Sequence, residues 1–429
     1  MYFAYSALLA LLLVVGSPYW LYQMLRHGKY RTGLRERLGA IPARLGNISP
    51  PTIWIHAVSV GEVLAVSELV RQLRAELARY RILVSTTTDT GQRLARQRFG
   101  EENVFYFPLD FAFAARRWLQ RLHPELVVIA ETELWPNFLR CAREANAHVA
   151  IVNARISDKS FQGYRRWKAL IASVLQIPDL FLAQTDQDAH RLRDIGARGD
   201  RVVTTGNLKY DVPLPPMPPV VEELRRAFSG AGPVLVCGST VEGEEPLLLG
   251  AFTNILANHA GAVMLLAPRH PQRFDEVERL LREVKMPFWR RSKWTGGPIR
   301  GGVLLVDSIG ELSALYALAD IAFVGGSLVP RGGHNIIEPA QHGVPIVVGN
   351  HTENFRDIVG LFQSRDAVRI VGPAELPLML MQLIANDAER HALGKRALET
   401  LELQRGATQR TLTQLKKLLD RNAPEVTHR

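Results

Sequence analysis

Cysteine is almost missing from this sequence: there are two, Cys141 and Cys237, far apart in the chain. They support neither a disulfide framework nor a CxxC metal site, and they fit a reducing compartment. Charge is missing from the first 25 residues, where no Asp, Glu, Lys or Arg occurs. Long basic runs and RNA-binding signatures are also lacking. The formal net charge of +10 comes from scattered residues, mostly Arg. That argues against nucleic acid and leaves an acidic membrane surface or a phosphorylated substrate as the anionic partner. There is no Walker GK[ST], no HExxH and no His/Cys cluster, and no DxD-type motif accompanies the glycine turns of the second half. Metal-independent chemistry with no cofactor is the expectation.

What the chain has in their place begins with an apolar stretch centred on Ala7 to Val15. It is long enough for a membrane helix, with Tyr19, Trp20 and Tyr22 as interfacial aromatics and Arg26, Lys29 and Arg31 just beyond. No basic residue precedes the apolar core and no small-x-small cleavage site follows it, so a retained anchor over residues 1–30 is expected rather than a signal peptide. The positive-inside rule then places the rest on the cytoplasmic side.

At 429 residues the chain is too long for one ordinary core. From Ile53 onward, short β-rich runs (IWIHAV, ILVSTT, VFYF, LVVIAE, VAIVN, LFLAQ, RVVTTG) alternate with helical periodicity. After a proline-rich break, DVPLPPMPP at 211–219, the alternation resumes with VLVCG, VMLLA, VLLVD, IAFVG, PIVVG and VRIVG. Strand–helix alternation calls for parallel sheets covered by helices. The expected architecture is α/β: two Rossmann-like domains, residues 31–210 and 220–429, joined by a stiff linker and facing a cleft. Amphipathic helices from Ala388 to Leu419 are assigned to the second domain.

Polar residues and glycines gather directly after the strands. HAVSVGEV places Glu62 at a helix start, as a dipole partner or as a general base. ETELWPN follows with Glu131 and Glu133, where strand alternation would leave one of the two on a buried side. NARISDKSFQGYRRWK carries Arg155, Lys159, Arg165, Arg166 and Lys168 among Phe161, Tyr164 and Trp167, a surface suited to a phosphorylated amphiphile or simply a solvated helix face. GNLKYD supplies Lys209. In the second half CGSTVEGEE is an anion-compatible turn, and APRHPQRF puts Pro268, Arg269 and His270 at a strand end. Ile309, Gly310 and Glu311 open a helix. In IAFVGGSLVPRGGHNIIEPA, a strand empties through glycines into a helix expected to open near His334 or Asn335. Asn335 and Glu338 there read either as a capping box or as a ligand site.

HAVSVGEV, ETELWPN, NARISDKS, GNLKYD, APRHPQRF, IGEL and GGHNIIEPA together resemble, in order and spacing, the Kdo transferases, which move 3-deoxy-D-manno-octulosonic acid (Kdo) from CMP-Kdo to a lipid A precursor. The resemblance covers nearly the whole chain. It implies an inverting, metal-free GT-B glycosyltransferase of the inner membrane, with lipid IVA as acceptor on the N-terminal domain and CMP-Kdo on the C-terminal one. It implies that Glu62 is the base and that Glu131 and Lys209 stabilise the transition state. Pro268, Arg269, Ile309, Gly310, Glu311, Asn335, Ile336, Ile337 and Glu338 would then form the CMP-binding set. The basic stretch Arg155, Lys159, Arg165 and Arg166 is read here as the contact to the acceptor's phosphates. Rival readings are another GT-B enzyme using a UDP-sugar and a membrane-anchored nucleotide-binding module without chemistry.

Overall fold

The computed structural model describes residues 2–27, 32–48, 51–214 and 216–420; Lys29, Arg31 and Pro215 lie outside the described residues. The chain forms two compact units, Met1–Val212 with Gln404–Arg429, and Pro213–Leu403. Each is built on one seven-stranded sheet whose strand pairings are all parallel.

In the first unit the strands are β1 (Thr52–His56), β2 (Arg81–Thr86), β3 (Val104–Tyr106), β4 (Pro124–Ala130), β5 (His148–Ala154), β6 (Leu180–Ala183) and β7 (Val202–Thr204), in the order β3-β2-β1-β4-β5-β6-β7. The central strands are apolar on both sides, as helices on both faces require. Trp54, Phe105, Trp118 and Phe138 fill one face of the sheet, and Ile53, Ile55, Val66 and Leu69 fill the other. The strand order reverses between β1 and β4, the switch point at which open α/β sheets take their ligands.

The second unit has β8 (Val234–Thr240), β9 (Val263–Pro268), β10 (Phe288–Arg290), β11 (Gly302–Leu305), β12 (Ile321–Val324), β13 (Ile346–Val348) and β14 (Arg369–Ile370), ordered β10-β11-β9-β8-β12-β13-β14. Its switch point lies between β8 and β12. Strand β10 has no counterpart among the β-rich runs of the sequence. It is three half-buried residues at a sheet edge, where one ladder and little apolar pattern suffice.

The units divide at Val212/Pro213, inside the proline-rich break, and one assignment differs from that expected of the sequence. The last helix, Ala407–Asp420, belongs to the first unit and not to the second. Leu412, Leu415, Leu418 and Leu419 bury against the Val63–Leu73 helix face, and Asp211 accepts from Gly406 N at 2.7 Å. Helical periodicity reports that a helix has an apolar face but not which core receives it. Leu415→Ala is expected to cost about 2–5 kcal/mol, read as an earlier first unfolding transition of the full chain in urea.

The N-terminal helix Tyr2–His27 contains one segment long and apolar enough to cross a membrane, Tyr2–Trp20. Its opening turns touch the first unit. Asn137 Nδ2 donates to Ser6 Oγ at 2.9 Å, and Arg140 lies over the Tyr2 ring at 4.9 Å.

Candidate active site

At the switch point of the first unit, three carboxylates and a lysine come together. Glu62 lies in the first turn of the helix Val60–Glu76, three residues past its N-cap Ser59. Its oxygens accept from Val58 N at 2.8 Å and from Ser59 Oγ at 2.9 Å. This is the geometry of a helix-capping acid, yet it does not account for the charge. Glu62 is only 7% exposed, and its pKa is pushed up to about 7, by burial first and then by the charge of Glu131, against the pull of its two hydrogen bonds. A carboxyl at about 7 is half deprotonated near neutrality and basic enough to take a proton.

Glu131 follows β4 directly, with φ at +56°. A non-glycine residue held in the left-handed region costs about 1–3 kcal/mol and recurs at functional sites. It also ends the strand's alternation. Glu131 and Glu133 are therefore both half-buried, where the sequence pattern predicted one to be buried. Glu133 is pushed up as well, by burial and then by Glu131. The balancing cation is Lys209, whose Nζ lies 3.2 Å from Glu131 Oε1.

Two asparagines place that lysine. Asn153, at φ +54° beside the register shift between β5 and β6, accepts Leu208 N at 3.0 Å, and Asn207 Oδ1 accepts Lys209 N at 3.0 Å. NARISDKS and GNLKYD are thus two parts of one device for holding Lys209 against Glu131.

Of the basic residues, Lys159, Arg165 and Arg166 are exposed and Arg155 half-buried. They lie at the end of β5 and along the helix Asp158–Arg166, beside an open apolar trough of about 490 Å³ lined by Ser160, Gly163, Tyr164, Trp167, Leu170 and Ile171. Trp167 is 65% exposed.

In the second unit, Arg269 follows β9 and donates its N–H to Thr240 O at 2.9 Å. Burial and the charges of Arg269 and His270 lower His334 to about 4, so its imidazole is neutral. Its Nε2 and the Thr240 Oγ1 are buried without a partner among the described residues. Glu338 is raised, chiefly by burial, and accepts from Asn335 Nδ2 at 3.3 Å.

A family model for 3-deoxy-D-manno-octulosonic-acid transferase (kdotransferase) matches residues 32–212. The chain is 36% identical over 401 residues to a 3-deoxy-D-manno-octulosonic acid transferase of Haemophilus influenzae, spanning 92% of this chain and 93% of that one. It is also 36% identical over 423 residues to the enzyme of that name from Bordetella pertussis, spanning 93% and 95%. The chain belongs to the Kdo transferase family. Its fold is that of GT-B glycosyltransferases. A putative UDP-N-acetylglucosamine 2-epimerase of Listeria monocytogenes superposes with TM-score 0.60 over 87% of this chain and 98% of that one, at 14% identity. A UDP-GlcNAc 2-epimerase of Neisseria meningitidis does so with TM-score 0.57 over 86% and 100%, at 13% identity.

The motifs of this Kdo transferase fall on two sites, one in each unit. In the second unit one helix start differs from that expected. The helix after the glycines begins at Ile337 rather than near His334, and Asn335 Oδ1 accepts Ile337 N at 3.1 Å. The Ile336 and Ile337 side chains are in the core, as is Pro268, so these positions offer only backbone to a ligand. Ile309 is 80% exposed beside Gly310, and Glu311 is held by Arg291 at 3.0 Å and by the Ser308 hydroxyl. Nothing sets Glu244 apart from its neighbours in VEGEE, yet the structure makes it prominent. Asp110 was equally hidden: it accepts Asn137 N at 3.1 Å and Phe138 N at 2.7 Å and so caps the helix after ETELWPN from a separate loop.

Proposed function

We propose that this Kdo transferase takes its sugar from CMP-Kdo and places it on a lipid A precursor at the cytoplasmic face of the inner membrane, with Glu62 as general base. The observation that carries the reading is the Glu62 carboxyl, buried and raised to about 7 beside the Glu131–Lys209 pair. In the transfer, Glu62 accepts the proton of the acceptor's primary hydroxyl. That oxygen bonds to the anomeric carbon of Kdo on the face opposite CMP. The bond from that carbon to the phosphate oxygen breaks, and CMP departs with the electron pair, giving inversion. Proton removal is needed only as the glycosidic bond to CMP fails, so a carboxylate suffices. Lys209 limits the negative charge that gathers around Glu131 and Glu62 as the donor anion arrives.

Donor binding is assigned to the second unit. Arg269 offers a fork to the phosphate. His334 and Thr240 offer buried polar atoms that have no protein partner among the described residues. Glu338, with Asn335, offers a carboxyl to nucleoside hydroxyls, and the Ile309–Glu311 turn is assigned to the same donor set. The acceptor's phosphates are assigned to Arg155, Lys159, Arg165 and Arg166, and its acyl chains to the apolar trough beside them. The Tyr2–Trp20 segment supplies a membrane anchor.

Arg269→Ala is expected to raise the donor KM about 10–100-fold, the worth of one or two charge-assisted hydrogen bonds, with the acceptor KM within twofold. Equal losses on both substrates would remove Arg269 from the donor site. Thermal-shift titration of the wild type should favour CMP over UDP, and the reverse preference would point to a UDP-sugar enzyme.

A further inference from the structure

In open α/β sheets the ligand's anion is usually received at the switch point. In the second unit that place, between β8 and β12, already holds an anion of the protein's own. Glu244 is 0% exposed and sits at the start of the helix Glu245–Asn258. Its carboxylate collects four main-chain N–H groups. Val241 and Gly326 donate to Oε2 at 3.0 and 2.7 Å, and Ser327 and Leu328 donate to Oε1, each at 2.9 Å. An ordinary capping acid satisfies one or two donors of its own helix. Here three of the four come from a loop 82 to 84 residues further along the chain.

The glycines of GGS answer to this carboxylate. Gly326 has φ +71°, which turns successive N–H groups inward as a nest. A Cβ on Gly325 would stand 2.6 Å from Ser239 O, 2.7 Å from Thr240 Cα and 2.8 Å from Glu244 Oε2. These glycines therefore permit close approach within the protein itself, to the end of β8 and to the internal carboxylate. What they hold is tied onward. Gly333 N donates to Gly326 O at 2.7 Å, and a Cβ on Gly326 would lie 2.8 Å from the His334 ring. Ser327 Oγ accepts Gly349 N at 2.8 Å, and Ser327 O accepts His351 N at 2.9 Å.

We infer that Glu244 is a positioning residue for donor binding: an internal anion that completes the glycine loop and so fixes the His334–Glu338 segment on which the nucleotide is received. The inference rests on the donor reading above and deepens it. With the nest filled, the donor's charges fall to side chains such as Arg269 and His334.

Glu244→Ala removes a CH₂–COO⁻ group, which is acetate in outline. In the full-length variant, CMP affinity is expected to fall and the donor KM to rise by about 30-fold or more, since four charge-assisted bonds are lost, with the acceptor KM within twofold. Added acetate should restore most of the CMP affinity. Glu244→Gln keeps the shape but turns an amide against N–H donors, so it should be impaired and acetate should not help it. Hydrogen exchange supplies a readout independent of the donor: the amides of 326–328 should be protected in the wild type, exposed in Glu244→Ala and protected again with acetate. Wild-type CMP affinity in Glu244→Ala would overturn the inference, as would acetate restoring amide protection without CMP affinity. If Glu244→Ala does not fold, Glu244→Gln decides: unchanged CMP affinity there overturns the inference, and a selective donor defect supports it. A wild type that binds no CMP would sink the donor reading alone, leaving the exchange result to judge the nest.

Discussion

Replacing Glu62 by glutamine is expected to lower kcat about 10³-fold while leaving CMP affinity within twofold, and to make the protein more heat-stable above pH 7. The second half of that result follows from the same burial as the first. An exposed glutamate loses its proton near 4.5, whereas Glu62 keeps it to about 7. Between those values the folded state binds a proton that the unfolded state has released, so stability declines as pH rises from 4.5 through 7. Above pH 7 the full deficit applies, at most about 3 kcal/mol. Glutamine has no charge to bury, so its advantage should be largest at pH 8 and vanish near pH 4. Turnover in Glu62→Gln within tenfold of wild type would remove Glu62 as the base. A stability gain that did not vary with pH would show that the carboxyl is not held at a raised pKa.

Lys209→Met should lower kcat at pH 7 about 100-fold and move the pH–rate profile to higher pH by about one unit. Lys209 is the cation beside Glu131, and Glu131 is the second cause of the raised Glu62 pKa. Without the lysine, more uncompensated negative charge faces Glu62, and the base is harder to deprotonate. Glu131→Gln should act with the opposite sign on the profile, shifting it to lower pH, even though it too loses rate. The two opposed displacements distinguish an electrostatic cluster from two residues that merely brace the loop. Parallel displacements would contradict the coupling.

Much of the fold was legible because its cause is local. Strands buried on both faces must be apolar throughout, so VAIVN and VLVCG announce themselves, and the proline-rich break at 211–219 contains the division between units. β10 was not legible, because an edge strand of three half-buried residues needs no such signature. The final helix showed its apolar face but not its destination, since the two cores are chemically alike. In the site, the position of Glu62 at a helix start was legible from HAVSVGEV, whereas Glu131 and Lys209 were joined only by the family resemblance, with no sign of their contact in the spacing. The turn at Glu131 could not, because a left-handed glutamate has no sequence signature. Glu244 was not legible either, because three of its four hydrogen bonds come from a loop more than eighty residues away.

The final helix also bears on how this chain is made. Residues up to Val212 supply all seven strands of the first sheet, yet the core that holds Val63, Val66 and Leu69 gains Leu412, Leu415, Leu418 and Leu419 only when Ala407–Asp420 arrives. The whole of the second unit is synthesised in the interval, about 10–40 s at bacterial elongation rates. During that time the part of this core that Ala407–Asp420 will cover stands open to water, to chaperones and to other nascent chains. The carboxyl-terminal helix is then the last stitch in the seam of the unit that was begun first, and a ribosome stalled shortly before it would release a protein with a finished second unit and an unclosed first one.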